Sequence, residues 1–161
     1  MIFVTVGTQL PFERLVQGMD AWAGDNPGEE IFVQTGDSAY QPHHCVFKPY
    51  TRPDEWEDCF RRAALVVSHA GVGTILKSLD QGKPLIVMPR LASLGEHRND
   101  HQVATAARFD GFQNIRIVNR LAELLAALDH PPIAIAPSDP HGSANLNQLI
   151  GVIREFSNER T

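Results

Sequence analysis

No stretch of this chain approaches the roughly 20 consecutive apolar residues that a membrane-spanning helix needs. The longest apolar runs, "AALVV" at 63–67 and "PLIVM" at 84–88, have the length of buried parallel strands. Cysteine is scarce: Cys45 and Cys59 make no CxxC pair and no secretory h-region precedes them, so a reduced, cytoplasmic protein is expected. Basic residues never form a block. Arg52, Arg61, Arg62, Lys77, Lys83, Arg90 and Arg98 are scattered through a chain of net charge −5, which removes the electrostatic footprint of a nucleic-acid binder. No repeat, low-complexity tract or linker divides the 161 residues, and a 43% hydrophobic content suits one domain over 1–161 with one core.

What is present is an alternation. "MIFVTVG" is an apolar, β-branched run that stops at Gly7, and "FERLVQGMDAWA" follows with Phe12, Leu15, Val16, Met19 and Trp22 at helical spacing. "GEEIFVQTGD" predicts a second strand ending at Gly36, and "HHCVFKPY" a short third one. Pro53 opens the helix "DEWEDCFRRA", whose Trp56 and Phe60 share a face. "LVVSHAG" repeats the strand-to-glycine theme, and the helix "TILKSLDQG" closes at Gly82 with Pro84 beyond it. Strand "LIVMP", polar loop "RLASLGEHRND", helix "HQVATAARFDG", strand "IRIV" and helix "RLAELLAAL" complete the alternation. After a Pro-rich turn, 144–157 reads as an amphipathic C-terminal helix whose Leu149, Ile150, Ile153 and Phe156 either dock a partner or close this domain's own core. The pattern predicts an α/β fold, a Rossmann-like parallel sheet with helices on both faces.

Three strand ends carry polar, glycine-containing loops: "GTQ" at 7–9, "TGD" at 35–37 and "SHAGVGT" at 68–74. Ligands of open α/β sheets bind outside the carboxyl ends of the strands, so these loops are expected to converge on one crevice. In "HAGVGT", glycines at 71 and 73 permit close approach of the backbone, and the next helix aims unpaired N–H groups and a positive dipole end at an anion. A plain tight turn would use the same glycines. The dinucleotide signature is incomplete, because Leu76 stands where its third glycine would be, and no Walker Gly-Lys-Ser/Thr exists. His69 serves as a base, as a hydrogen-bond donor to phosphate or sugar, or only as a partner for nearby carbonyls. "GEHRNDHQ" gathers Glu96, His97, Arg98, Asn99, Asp100, His101 and Gln102 beyond a strand end, more polar groups than the one N-cap that Asn99 or Asp100 provides. Neither this stretch nor "HHCVF" has the ligand pattern of a metal site.

Taken together, "VTVGT", "QTGD", "VSHAGVGTI", "GKPLIVMPR" and "GEHRNDHQ", in this order and spacing, resemble the C-terminal, donor-binding half of family 28 glycosyltransferases of the GT-B fold. The resemblance runs from Met1 to Leu128. It is closest to stand-alone versions of that half: the soluble subunit of the two-part transferase of dolichol-linked oligosaccharide assembly, and PssE-type subunits of bacterial exopolysaccharide synthesis. It implies a UDP-sugar donor with its diphosphate on Gly71, Val72, Gly73 and Thr74, "NDHQ" facing the sugar, and Gly7, Thr8 and Gln9 lining the cleft beneath. Thr35, Gly36, Ser68, Arg90, Glu96 and His97, in the same motifs, complete the expected donor-binding set. It also implies inverting transfer with no metal or other cofactor, the departing UDP being stabilised by backbone amides and a helix dipole. The acceptor-binding half would come from a membrane-anchored, PssD-like partner that holds a lipid-linked saccharide, placing this chain at the inner face of the membrane. The base is then His69 or Glu96, or lies on the partner. One position departs from the pattern: peptidoglycan transferases of the family place a ribose-reading glutamate where this chain has Lys77, and an ammonium cannot accept hydrogen bonds. Two other readings compete, a non-enzymatic nucleotide-sugar-binding module and a sugar-nucleotide epimerase.

Overall fold

The computed structural model describes residues 1–136 and Gly151. Six strands form one parallel sheet in the order β3-β2-β1-β4-β5-β6: β1 (Ile2–Thr5), β2 (Ile31–Gln34), β3 (Val46–Lys48), β4 (Leu65–His69), β5 (Leu85–Met88) and β6 (Ile115–Ile117). Within residues 1–136, five α-helices connect or follow them: α1 (Glu13–Asp25), α2 (Pro53–Arg62), α3 (Val72–Asp80), α4 (His101–Arg108) and α5 (Leu121–Asp129). This is the Rossmann-like α/β architecture the alternation predicts. The expected helix at 144–157 lies, Gly151 apart, outside the described residues.

Strand side chains alternate between the two faces, and each face has its own core. On one, Ile2, Val4, Val33, Val67 and Ile86 pack with Leu15, Val16 and Met19 of α1 and Leu124 and Leu128 of α5. On the other, Phe3, Val66, Leu85 and Val87 pack with Phe60 of α2, Ile75 and Leu79 of α3, and Phe109. The central strands β1, β4 and β5 are buried on both sides, which is why they read as continuous apolar runs. Pro53 occupies the first turn of α2, where its missing N–H costs nothing, and Asp54 and Glu55 there oppose the positive dipole end.

The chain starts at the middle of the sheet, builds outward through β2 and β3, then returns to add β4, β5 and β6 on the other side of β1. The order therefore reverses between β1 and β4. A crevice opens at such a point, because the connections leaving the two strands go to opposite faces. Here α1 packs on one face and α3 on the other.

Candidate functional site

β1 ends at Thr5, and the chain turns at Gly7 with φ +78°, a conformation that glycine adopts without strain. β4 ends at His69, and Gly71 donates its N–H to the His69 carbonyl at 2.8 Å before α3 begins. The two loops face each other across a cleft of about 390 Å³, a volume suited to a small molecule. Gly7, Thr8, Gln9 and Leu10 line one side; His69, Gly71, Gly73 and Thr74 line the other; Arg90, His97 and Gln102 complete it.

Both loops carry main-chain donors without partners among the described residues. The N–H groups of Val72, Gly73 and Thr74 precede the first intrahelical bond of α3, Ile75 to Gly71, and have no partner among the described residues. The N–H groups of Thr8, Gln9 and Leu10 likewise have none among the described residues. Two sets of unpaired amides, one at a helix N-terminus, make a receptor for an anion. Gly73 adds room: a Cβ built there meets nothing within 4 Å.

His69 is wedged between the loops. A Cβ on Gly7 would lie 2.7 Å from its Cε1, and one on Gly71 would lie 2.5 Å from its Nε2, so both glycines are needed to seat the ring. Burial, reinforced by the nearby Arg90 cation, pushes its pKa down to about 4, with the Thr5 main chain pulling weakly the other way. The imidazole is therefore neutral near pH 7, and its Nδ1 is buried without a hydrogen bond of ordinary geometry. Neutral, it can offer one N–H and one lone pair.

Arg90 is buried, and its Nη2 donates to the carbonyls of Val6, at 2.7 Å, and Leu10. Its guanidinium also lies 5.0 Å from the Phe12 ring centroid. It ties the far end of β5 to the Gly7–Leu10 loop while leaving a fixed positive charge at the cleft. Desolvation lowers its pKa to about 10, which keeps it charged. Gln102 uses its Oε1 to accept from the Ala70 and Arg90 amides, fixing the ends of β4 and β5 together, and its NH₂ group remains available at the cleft.

The remaining expected residues divide. His97 lines the cleft, its Nδ1 beside the Asn99 carbonyl at 3.1 Å. Asn99 accepts from the His101 amide and Asp100 from the Ala92 amide; both, with His101, are exposed and outside the lining. Glu96 turns away from the cleft. Arg14 of α1 grips it through Nε and Nη2 at 2.7 and 2.8 Å, and it also accepts from the Leu91 amide. Ser68 is buried and bonds the His69 carbonyl. Thr35 and Gly36 are buried as well, and Gly36 backs onto Val6 and Gly7, so the "TGD" loop supports the cleft from behind. Val72 lies outside the lining, although its amide has no partner among the described residues. Lys77 turns to α2, paired with Glu57 at 2.8 Å and lying over the Phe60 ring. Among the described residues no three His, Cys, Asp or Glu side chains gather as a metal site.

Sequence reasoning missed Val6, Leu10, Arg14 and Gln34. The first two are apolar and contribute only main chain and shape. Arg14 acts through a partner 82 positions away in the chain. Gln34 alone had a visible signal: a carboxamide ending an apolar strand run, "IFVQ", beside another polar strand end, Thr5.

Residues 1–136 match the glycosyltransferase family 28 C-terminal domain, and the chain belongs to that family. Among curated proteins it is 41% identical over 91 residues to the UDP-N-acetylglucosamine transferase subunit ALG13 of Eremothecium gossypii, covering 53% of this chain and 43% of that protein. To the human subunit of the same name it is 29% identical over 107 residues, 60% of this chain and 9% of the relative. The match thus spans less than half the length of either relative. Among solved structures, an ALG13 solution structure superposes with TM-score 0.59 at 19% identity over 92% of this chain and 93% of that one. The glycotransferase of kitacinnamycin gives TM-score 0.60 at 20% identity, 98% of this chain and 39% of that one. Rice (O. sativa) Os79, solved with UDP, gives 0.57 at 12% identity, 95% and 34%. These likenesses bear out the GT-B type of fold.

Proposed function

We propose that this chain is the donor-binding subunit of a two-part inverting glycosyltransferase. It takes a UDP-sugar and, with a membrane-anchored PssD-like partner, extends a lipid-linked saccharide in exopolysaccharide synthesis. The observation that carries the reading is a cleft lined by two loops, Thr8–Leu10 and Gly73–Thr74, whose amides have no partner among the described residues, together with Arg90. A diphosphate, with two linked anionic groups, has a partner for each set of amides. The ALG13 relatives, named as subunits of a UDP-N-acetylglucosamine transferase, support a nucleotide sugar and a shared assembly.

In the proposed reaction an acceptor hydroxyl attacks the anomeric carbon, the bond from that carbon to the diphosphate oxygen breaks, and the hydroxyl proton passes to a base. The negative charge that grows on the departing UDP falls on the α3 amides and dipole end, already oriented before the bond breaks. Neutral His69 donates its N–H to a phosphate oxygen. A pKa near 4 makes it a poor proton acceptor, and both oxygens of Glu96 are occupied, so we assign the base to the partner. The same partner gives the complex its place at the inner face of the membrane.

Calorimetric titration with UDP and several UDP-sugars tests the donor site. Gly73→Asp inserts a carboxylate where the phosphate would lie, and with nothing within 4 Å of its Cβ it leaves the fold intact. Affinity is expected to fall more than about tenfold, the cost of at least one charge-assisted bond turned repulsive. Equal binding by both forms would overturn the assignment. Sugar transfer that needs an added membrane fraction separates the transferase from a purely binding module.

A further inference from the structure

Beneath the Gly7 turn lies a buried polar chain whose own side chains, Thr5, Gln34 and Trp56, do not line the cleft. Gln34, at the end of β2, donates from Nε2 to the Gly7 carbonyl at 2.9 Å and accepts at Oε1 from the Thr5 hydroxyl. That hydroxyl in turn accepts from the Gly7 amide at 3.4 Å and from Trp56 Nε1 at 3.5 Å. Thr5 and Gln34 are register partners in the β1–β2 ladder and are respectively 1% and 2% exposed. One carboxamide and one hydroxyl thus hold both polar groups of the single residue where the cleft loop begins.

The arrangement has a chemical point. A carbonyl oxygen directed into an anion site repels the ligand, whereas the same oxygen drawn inward leaves amide groups facing outward. The Gly7 carbonyl is the one that Gln34 removes, and the next three residues are those whose amides are unpaired. Gly7 also abuts the His69 ring, so its placement fixes both walls. We propose that Gln34 is a positioning residue for the anion site: by holding the Gly7 carbonyl inward it presents the Thr8–Leu10 amides to the ligand and seats His69 against α3. This deepens the nucleotide-binding reading above and rests on it.

Two variants of the full chain test it. Gln34→Met keeps the volume and removes both bonds. Gln34→Glu, when ionised, still accepts from Thr5 but repels the Gly7 carbonyl; when protonated, it can donate to that carbonyl again. The readouts are UDP affinity and the NMR titration of the His69 ring, which Arg90 and the Thr5 main chain also face. Gln34→Met is expected to weaken UDP binding about tenfold, the effect of one buried bond, and to move the His69 titration back toward that of an exposed histidine. Gln34→Glu is expected to be weakened near pH 8 and to approach wild type, compared at each pH, as its carboxyl protonates. If Gln34→Met does not fold, Gln34→Glu carries the test. Wild-type affinity in the variants, a loss without movement of His69, or no recovery of Gln34→Glu on acidification would each overturn the proposal. Should the wild-type chain itself not bind UDP, the functional reading falls, and the His69 titration alone decides whether Gln34 positions the loop.

Discussion

At the scale of single residues, His69 has the clearest measurable consequence. Its folded pKa, about 4, lies below the ordinary value of 6.5, so between these limits the unfolded chain binds the proton that the folded chain refuses. Stability therefore rises with pH through that window and is lost as pH falls through it, by about 3 kcal/mol for a shift of this size. Urea unfolding followed from pH 7 to pH 4 should show a larger acid-side loss in the wild type than in His69→Phe, whose remaining loss comes from carboxylates such as Asp20 that the fold holds below their ordinary pKa. An identical slope in both would mean the ring is not buried as a neutral base. The short motif around His69 was legible because glycines and a histidine at a strand end have few other uses. What the sequence could not display was the second glycine against the ring, Gly7, which is 62 positions distant and meets it only through β1–β4 pairing.

At the scale of elements, the "GEHRNDHQ" loop shows how the residues of one polar stretch part company once folded. It does follow β5 and reach the cleft, yet only His97 and Gln102 line it. A linear stretch of polar residues records how many side chains avoid the core, not which way each one turns. Glu96 was diverted by Arg14, whose Nη1 and Nη2 also take the carbonyls of Asn119 and Pro89, so one guanidinium joins α1, the end of β5 and the loop before α5. Glu96→Gln should cost about 1–3 kcal/mol, since the pair is mostly buried and hydrogen-bonded on both sides. Thermal melts would register this as a lower Tm, while the pH dependence of sugar transfer stays as in wild type; a changed pH profile would return Glu96 to the chemistry. The strand and helix order was legible almost throughout, because β-branched runs and 3.6-residue spacing are local signals. The register that puts Thr5 opposite Gln34 is not local: the carboxamide ending "IFVQ" is visible in the sequence, but its partner is not until the sheet is assembled.

At the scale of the whole molecule, the reversal of strand order between β1 and β4 decides where everything else can be. The prediction of a crevice followed from alternation and three glycine loops; two of those loops form it, and the third braces it from beneath. Each wall is built by a different part of the chain, residues up to Leu10 on one side and residues from His69 onward on the other. A nucleotide gripped by both walls is thus a rivet driven through the seam of the molecule, and it resists the parting of the two halves instead of stiffening one loop. At a hundredfold excess over Kd, UDP should add about 2.7 kcal/mol, raising Tm by about 5–10 °C for a chain of this size. Hydrogen exchange should slow in β2 and β5 together, strands that never touch each other, because occupancy at the joint is felt by both wings.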